Sequence, residues 1–444
     1  MPTLNSYIKV SMPLVRTIAS WKIYCSVLII NVLLVFQASA QENSPYSRYG
    51  IGDVLPQTNV LNRAMGGVSL AYWDVQSVNF NNPASYAHLK LTTFDVGLGY
   101  DSRTLRATNT TSAYKSRTLL PTYLNIGFPL SKKKSWGMDI GFKPVTRINY
   151  DVESNERLAG IDSVSYRYSG NGGSYQAFLG LAGGTKNFSI GVNAGYMFGN
   201  KHYSSQVRFI NDTVTYQKAN YSDSTAFGGL FVKAGFQYQL VLSGDMNLRF
   251  GGTFGLENKM TAYHDVTRQT YEGSGRGPLV LDSVYRASGE KGTIIMPSNW
   301  GGGITLERMD KWQIGIEYNA VQWDDYRYFD QKDQLQSNWT ARIGGQIIPS
   351  INSKSYWNRV AYRAGFSFGP DHVDAGSNLK TWTASWGMGM PVRRNYYTNQ
   401  YTTINLTLEV GQRGNKTDAI RENFFRAAFG FNLSDLWFNK RQYQ

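Results

Sequence analysis

The stretch Phe425-Arg426-Ala427-Ala428-Phe429-Gly430-Phe431-Asn432-Leu433 decides the fold of this chain. Phe425, Ala427, Phe429, Phe431 and Leu433 fall on one side of an extended backbone, and Arg426, Ala428, Gly430 and Asn432 on the other. Successive side chains of a β-strand point to opposite faces, so a period of two marks a strand with one apolar face and one polar or small face. Ile404, Leu406, Leu408 and Val410 repeat the pattern against Thr403, Asn405, Thr407 and Glu409. So do Trp312, Ile314, Ile316 and Tyr318 against Gln313, Gly315 and Glu317, and Phe188, Ile190, Val192, Ala194, Tyr196 and Phe198 form a further apolar row.

An apolar strand face points into a core in a soluble sandwich and to lipid in a membrane barrel. Connection lengths separate the two. Strands are expected near 92–106, 116–130, 135–150, 163–183, 187–204, 225–242, 246–264, 294–308, 311–327, 335–349, 357–369, 379–391, 400–412 and 422–437, about fourteen in all, an even number that suits a closed bacterial barrel. The links around Ser131–Lys134, Gly184–Asn187, Ser243–Asp245 and Asp310 are short, whereas those around Glu153–Asp162, Tyr203–Thr225 and His264–Lys291 are long. Short periplasmic turns alternating with long extracellular loops produce that alternation. The expected fold is therefore all-β, a transmembrane antiparallel β-barrel. Trp136, Trp312, Trp357 and Trp437 near strand ends suit interfacial girdles.

Composition narrows the class further. The 444 residues include 22 Phe, 11 Trp, 30 Tyr, 45 Gly and a single cysteine, with 45 Lys+Arg against 31 Asp+Glu. Aromatic abundance excludes a disordered chain, and one cysteine excludes a disulfide scaffold. Lys9, Arg16 and Lys22 precede the apolar run 23–36, and Ala38-Ser39-Ala40 follows it, the layout of a signal peptide over 1–40 with either Met1 or Met12 as the start. Cleavage would remove Cys25 and lower the formal charge of +14 by three. Export places the protein away from nucleic acid, so the basic balance, including Lys132-Lys133-Lys134, points to anionic lipid and lipopolysaccharide as partners.

Enzyme chemistry finds no purchase. His88, His202, His264 and His372 have no metal-ligand spacing, and Gly273-Ser274-Gly275-Arg276-Gly277 lacks the Lys-Ser/Thr of a phosphate loop. No metal, cofactor or catalytic residue is expected.

Residues 41–90 precede the barrel (91–444) and do not alternate cleanly. They carry Gly66-Gly67, Asp74 and Asn82-Pro83-Ala84, and begin near Ser44-Pro45-Tyr46-Ser47-Arg48-Tyr49-Gly50. This combination resembles the hatch of the FadL-type outer-membrane hydrophobic-compound transporter family, and the opening stretch together with Trp437-Phe438-Asn439-Lys440-Arg441 resembles its Bacteroidetes members. The resemblance implies a monomeric barrel in the outer membrane, plugged in its lumen by residues 41–90. It also implies passive transport of hydrophobic compounds such as long-chain fatty acids, with an exit sideways into the bilayer through an inward kink of the third strand. Within that strand Gly141 and Pro144 are the candidates for the opening, because proline removes a ladder donor.

Alternation places Arg363 and Arg426 on lumen faces, where each could hold a ligand carboxylate or neutralise an acid such as Glu317, Glu409 or Asp139. The same resemblance admits a second function, a PorV-like barrel acting as scaffold or partner subunit of a surface protein secretion system. The long loops at 203–225 and 264–293 would then be docking surfaces.

Overall fold

A computed structural model describes residues 44–435 apart from 109–112, 132–134, 160–162, 211–216, 273–278, 377–378 and 396–399. The expected signal peptide, Lys132–Lys134 and the closing stretch 437–441 lie outside the described residues.

Fourteen antiparallel strands close into one barrel. They are β1 (Thr92–Ala107), β2 (Ala113–Pro129), β3 (Ser135–Arg157), β4 (Ser163–Gly184), β5 (Phe188–Phe209) and β6 (Lys218–Ser243). Next come β7 (Met246–Gly255 continuing as Asn258–Glu272), β8 (Leu279–Met296 continuing as Asn299–Arg308), β9 (Trp312–Val321) and β10 (Asn338–Ile347). The wall is completed by β11 (Ala361–Pro370), β12 (Lys380–Asn395), β13 (Gln400–Arg413) and β14 (Ile420–Asp435). Closure is made by β14 and β1, paired from Ile420↔Ala107 to Asp435↔Thr92.

The faces follow the alternation. Phe425, Phe429, Phe431 and Leu433 are exposed on the outside, while Ala428 and Asn432 are buried inside. Ile314 and Ile316 point out, and Gln313 and Glu317 point in. Polar groups are thus gathered in the lumen and apolar groups outside, the inverse of a water-soluble sandwich and the arrangement that hydrocarbon stabilises. Among the described residues no helix is long and apolar enough to cross a membrane.

Chain direction defines two rims. Thr92 and Asp435 lie at one, called lower here, with the tight links 185–187, 244–245 and 309–311. The expected long loops at 203–225 and 264–293 are a correction. The β5–β6 ladder continues to Val207↔Ala219 and the β7–β8 ladder to Leu279↔Glu272, leaving links of only 210–217 and 273–278. Above the lipid both faces of a hairpin meet water, so the apolar alternation that reveals a strand fades although backbone pairing persists. The strand expected over 311–327 also stops early, at Val321. The link 322–337 then turns inward, and its two-residue strand Arg327–Tyr328 pairs with Ile295 and Ile294 of β8.

One seam of the wall is incomplete. β2 and β3 pair only from Pro129↔Gly137 to Leu124↔Phe142, although both strands continue well beyond. Continued in register, the break begins at Tyr123 and Lys143. At about 3.4 Å per residue and a tilt near 40°, that point lies roughly 20 Å above the lower rim, inside an apolar band of about 25 Å. The freed edge of β3 pairs instead with the two-residue strand Asp53–Val54, through Asp53↔Arg147 and Val54↔Thr146.

Candidate functional site: the lumen and its N-terminal segment

Residues 44–91 run from the upper rim to the lower one. Ser44 N donates to Asn149 O, and the Tyr46 hydroxyl donates to the carbonyl of Ile420, the first residue of β14. Below, the chain follows the β3 edge, where Leu55 N donates to Val145 O. It then forms one helical turn, α1 (Val60–Arg63), whose cap Asn59 accepts from Asn62 N at 2.9 Å. A 3-10 turn, Pro83–His88, leads into β1.

The motif residues fasten this segment to the wall. Gly66 and Gly67 make the turn after α1 with φ of +68° and +87°, a region that favours glycine. A side chain at Gly66 would also meet the wall, since a Cβ there would lie 2.7 Å from Phe366 N. Its own N–H donates to Ser385 Oγ. Asn82 caps the second turn through Ala84 N and donates to Leu70 O and, across to β6, to Phe236 O. Pro83 is the first residue of that turn, where its missing N–H costs nothing, and Ala84 is fully buried. Asp74 accepts from Gln76 N and the Tyr72 hydroxyl.

Charged groups complete the attachment. Glu317 Oε2 accepts from Ser69 N and Leu70 N at 2.7 and 2.8 Å, while its Oε1 accepts from Arg342. Asp53 accepts from Arg413 at 2.8 Å and from Arg103 at 3.0 Å, and Arg413 also reaches Asp371. Burial pushes the Asp53 carboxyl up, but Arg413 and Arg103 outweigh it and hold the group below the usual carboxylate range. Asp371, in the link after β11, behaves alike: burial opposes, and Arg413 and His372 hold it well below that range.

Above residues 58–81 lies a lumenal cavity of about 310 Å³, lined by Phe231, Met197, Met296, Trp323 and Val54 together with the cations Lys143, Lys233 and Arg342. Tyr46 and Ile51 roof the lumen with Trp323, Tyr326, Leu335 and Val373 from the inturned links. Two of the three cations are occupied, Lys233 by Asn81 Oδ1 at 2.7 Å and Arg342 by Glu317. Lys143 has no carboxylate within ion-pair distance among the described residues; its ammonium sits 5.2 Å from the Phe80 ring centroid. It immediately precedes Pro144, at the foot of the broken seam.

The candidates from the sequence divide by place. Gly141 stays in the ladder, opposite Asn125, whereas Pro144 lies just past its end. Arg426 is paired with Asp101 at 2.9 Å, an internal charge pair. Arg363 is buried far from Lys143, near the lower rim, donating to Gln346 Oε1 and Asn405 Oδ1 at 2.6 and 2.8 Å. Sequence reasoning missed Lys143, Asp53 and Arg63. The one available signal was a lysine between Phe142 and Pro144 on a lumen face.

Solved structures share the architecture. The Ralstonia pickettii toluene transporter TbuX superposes with a TM-score of 0.54 at 13% identity, covering 85% of this chain and 98% of its own. The Pseudomonas putida toluene transporter TodX gives 0.55 at 14%, covering 86% and 99%. A Pseudomonas aeruginosa FadL homologue gives 0.53 at 11%, covering 86% and 98%. At these identities the likeness speaks to the fold. No curated protein matches this sequence. The model of one family, described as BamG, matches residues 22–444, nearly the whole length over which the barrel and its inner segment are built. This chain belongs to the BamG family.

Proposed function

We propose that the protein is a passive outer-membrane channel for hydrophobic compounds, long-chain fatty acids among them. In this reading residues 1–40 direct export, 41–90 plug the lumen, and 91–444 form a barrel that works as a monomer with its short-turn rim in the periplasm. The single observation that carries it is the broken β2–β3 seam beside a cavity of mixed apolar and polar lining that contains Lys143. Water-filled pores offer apolar solutes nothing favourable, whereas apolar groups such as Phe231, Met197 and Met296 beside a gap in the wall ladder favour their passage toward hydrocarbon. An acidic lipid would place its carboxylate at Lys143 and leave past Pro144. The toluene transporters of the same fold lend support.

The test is saturable binding of a radiolabelled long-chain fatty acid to the purified barrel, with a porin in the same detergent as control. Lys143→Gln is expected to weaken binding about tenfold, the scale of one charge-assisted hydrogen bond. Val54→Trp, which fills the cavity, is expected to abolish it. Binding no better than the porin's would overturn fatty acid as the ligand.

A second reading, a scaffold for secreted or surface proteins, draws on one feature. Val280, Leu281, Val284 and Tyr285 are exposed together high on β8. They lie beyond the roughly ten residues a strand needs to cross the membrane. Pull-down with and without Val284→Lys would test it.

A further inference from the structure

A second cavity, of about 500 Å³, lies on the other side of the N-terminal segment, at the lower rim. Its roof is Leu61, Asp74, Gln76 and Ser77 of the segment. The rest of its lining comes from the lower ends of β10 to β14, from the link 348–360 and from Asp310 in the β8–β9 turn. No described residue lines both this cavity and the lumenal one. Its size falls within the usual small-molecule range of about 300–1,000 Å³.

The lining has two kinds of surface. Ile348, Ile351, Pro391 and Val392 supply an apolar side, and Arg359 and Arg363 supply guanidinium groups. Arg363 is a built feature. Its guanidinium lies flat against Gly389, where a Cβ would come within 2.6 Å of Nη1 and 2.7 Å of Nη2, and neutral amide oxygens hold two of its donors. Nε of Arg359 is buried with no hydrogen-bond partner among the described residues. Arg359 as a whole lines the cavity, where a guanidinium can hold an oxygen anion through charge-assisted hydrogen bonds. Of the two acids at the site, Asp74 is engaged by its own segment through Gln76 N and Tyr72, and Asp310 is exposed in the β8–β9 turn.

We infer that this lower-rim cavity is a separate binding site for an anionic amphiphile, a molecule with a carboxylate or phosphate head and a short apolar body. Arg359 and Arg363 take the head, and the body lies along Ile348, Ile351 and Val392. The site opens on the opposite side of the segment from the lumenal cavity, so it stands whether or not fatty acid passes through the lumen.

The experiment is photolabelling of the full-length protein in detergent with a diazirine-bearing decanoate, the adducts being mapped by mass spectrometry. Saturable adducts within residues 348–363 are expected, displaced by decanoate and by decyl phosphate and about tenfold less well by decanol. Relative potency of the two anions distinguishes a fatty acid from a phosphate headgroup. Arg359→Gln should reduce the adducts at least tenfold, and Ile351→Trp, which fills the cavity without removing a hydrogen bond, should abolish them. Val54→Trp should leave them unchanged, which separates this site from the lumenal one. Adducts that do not saturate, that survive Ile351→Trp, or that decanol displaces as well as decanoate would overturn the site. Displacement by inorganic phosphate at the potency of decyl phosphate would overturn the amphiphile as its ligand.

Discussion

Arg63 and Glu409 meet as a two-pronged pair, Nε and Nη2 of the arginine each 2.8 Å from a different carboxylate oxygen, with both side chains buried. The pair joins α1 to β13 inside the lumen. Removing one partner leaves the other charge buried without its counterion, so Glu409→Ala should destabilise the seating of the segment by about 3–5 kcal/mol. The double replacement Arg63→Met with Glu409→Leu should cost much less, because no charge is stranded. Protection of residues 44–91 from protease, measured across a urea series, gives both numbers.

His88 sets a pH dependence. Its ring stacks on Trp73 at 4.2 Å, and burial, reinforced by Arg249 and Lys90, lowers its pKa to about 4 from an ordinary 6.5. The folded segment therefore refuses a proton that the released segment accepts. Stability is full above pH 6.5, falls between 6.5 and 4, and is level with respect to this group below 4, a loss of about 3 kcal/mol at most. Asp53 and Asp371, held low, lose their contribution only at more acid pH, as each protonates. In His88→Gln the slope between pH 6.5 and 4 should flatten, as read by Trp73 fluorescence during urea titration.

Gly365 faces the turn of the segment so closely that a Cβ would collide with Gly66 N and the carbonyl group of Met65. Gly365→Val should leave the barrel folded, as judged by its heat-modifiable gel mobility, yet lift the segment from the wall. Overpacking of this kind costs about 1–3 kcal/mol. Accelerated proteolysis near Arg63 is the expected signature, and an unchanged cleavage rate would contradict the close packing.

The outer face gives a depth test. Ile316 is exposed on the wall near the middle of β9, where lysine should cost about 2–4 kcal/mol in a bilayer. Val284, high on β8, is exposed above the band, and lysine there should change stability by less than about 0.5 kcal/mol. Folding into vesicles of matched thickness compares the two. Equal costs would mean that the hydrocarbon level is misplaced.

How much of this was legible in the sequence depends on the range of the interaction. Phe425 to Leu433 announced strand and face together because neighbouring side chains report their own alternation. Pro144 lies just past the end of the β2–β3 ladder, and its missing donor is a local property that a sequence can display. What covers the freed β3 edge was invisible: Asp53 and Val54 carry no pattern, and their pairing to Arg147 and Thr146 is settled by Arg103 and Arg413 from other strands. Alternation put Arg363 on the lumen face, and it is buried there, yet nothing local could say which side of the segment it would serve. The upper hairpins of β5–β6 and β7–β8 read as loops in the sequence because the periodicity that betrays a strand is a property of its surroundings as much as of its backbone.

The clasp on the N-terminal segment also imposes an order in time. Glu409, Arg413 and Glu422, which hold Arg63, Asp53 and Ser44, all belong to the last two strands of the chain. A barrel caught before β13 and β14 are laid down lacks these anchors, and its seam with β1 is open as well. The same late event thus seals the cylinder and locks its contents. A stalled intermediate would betray itself by a loose leading end, which makes that end a readout of whether assembly has finished.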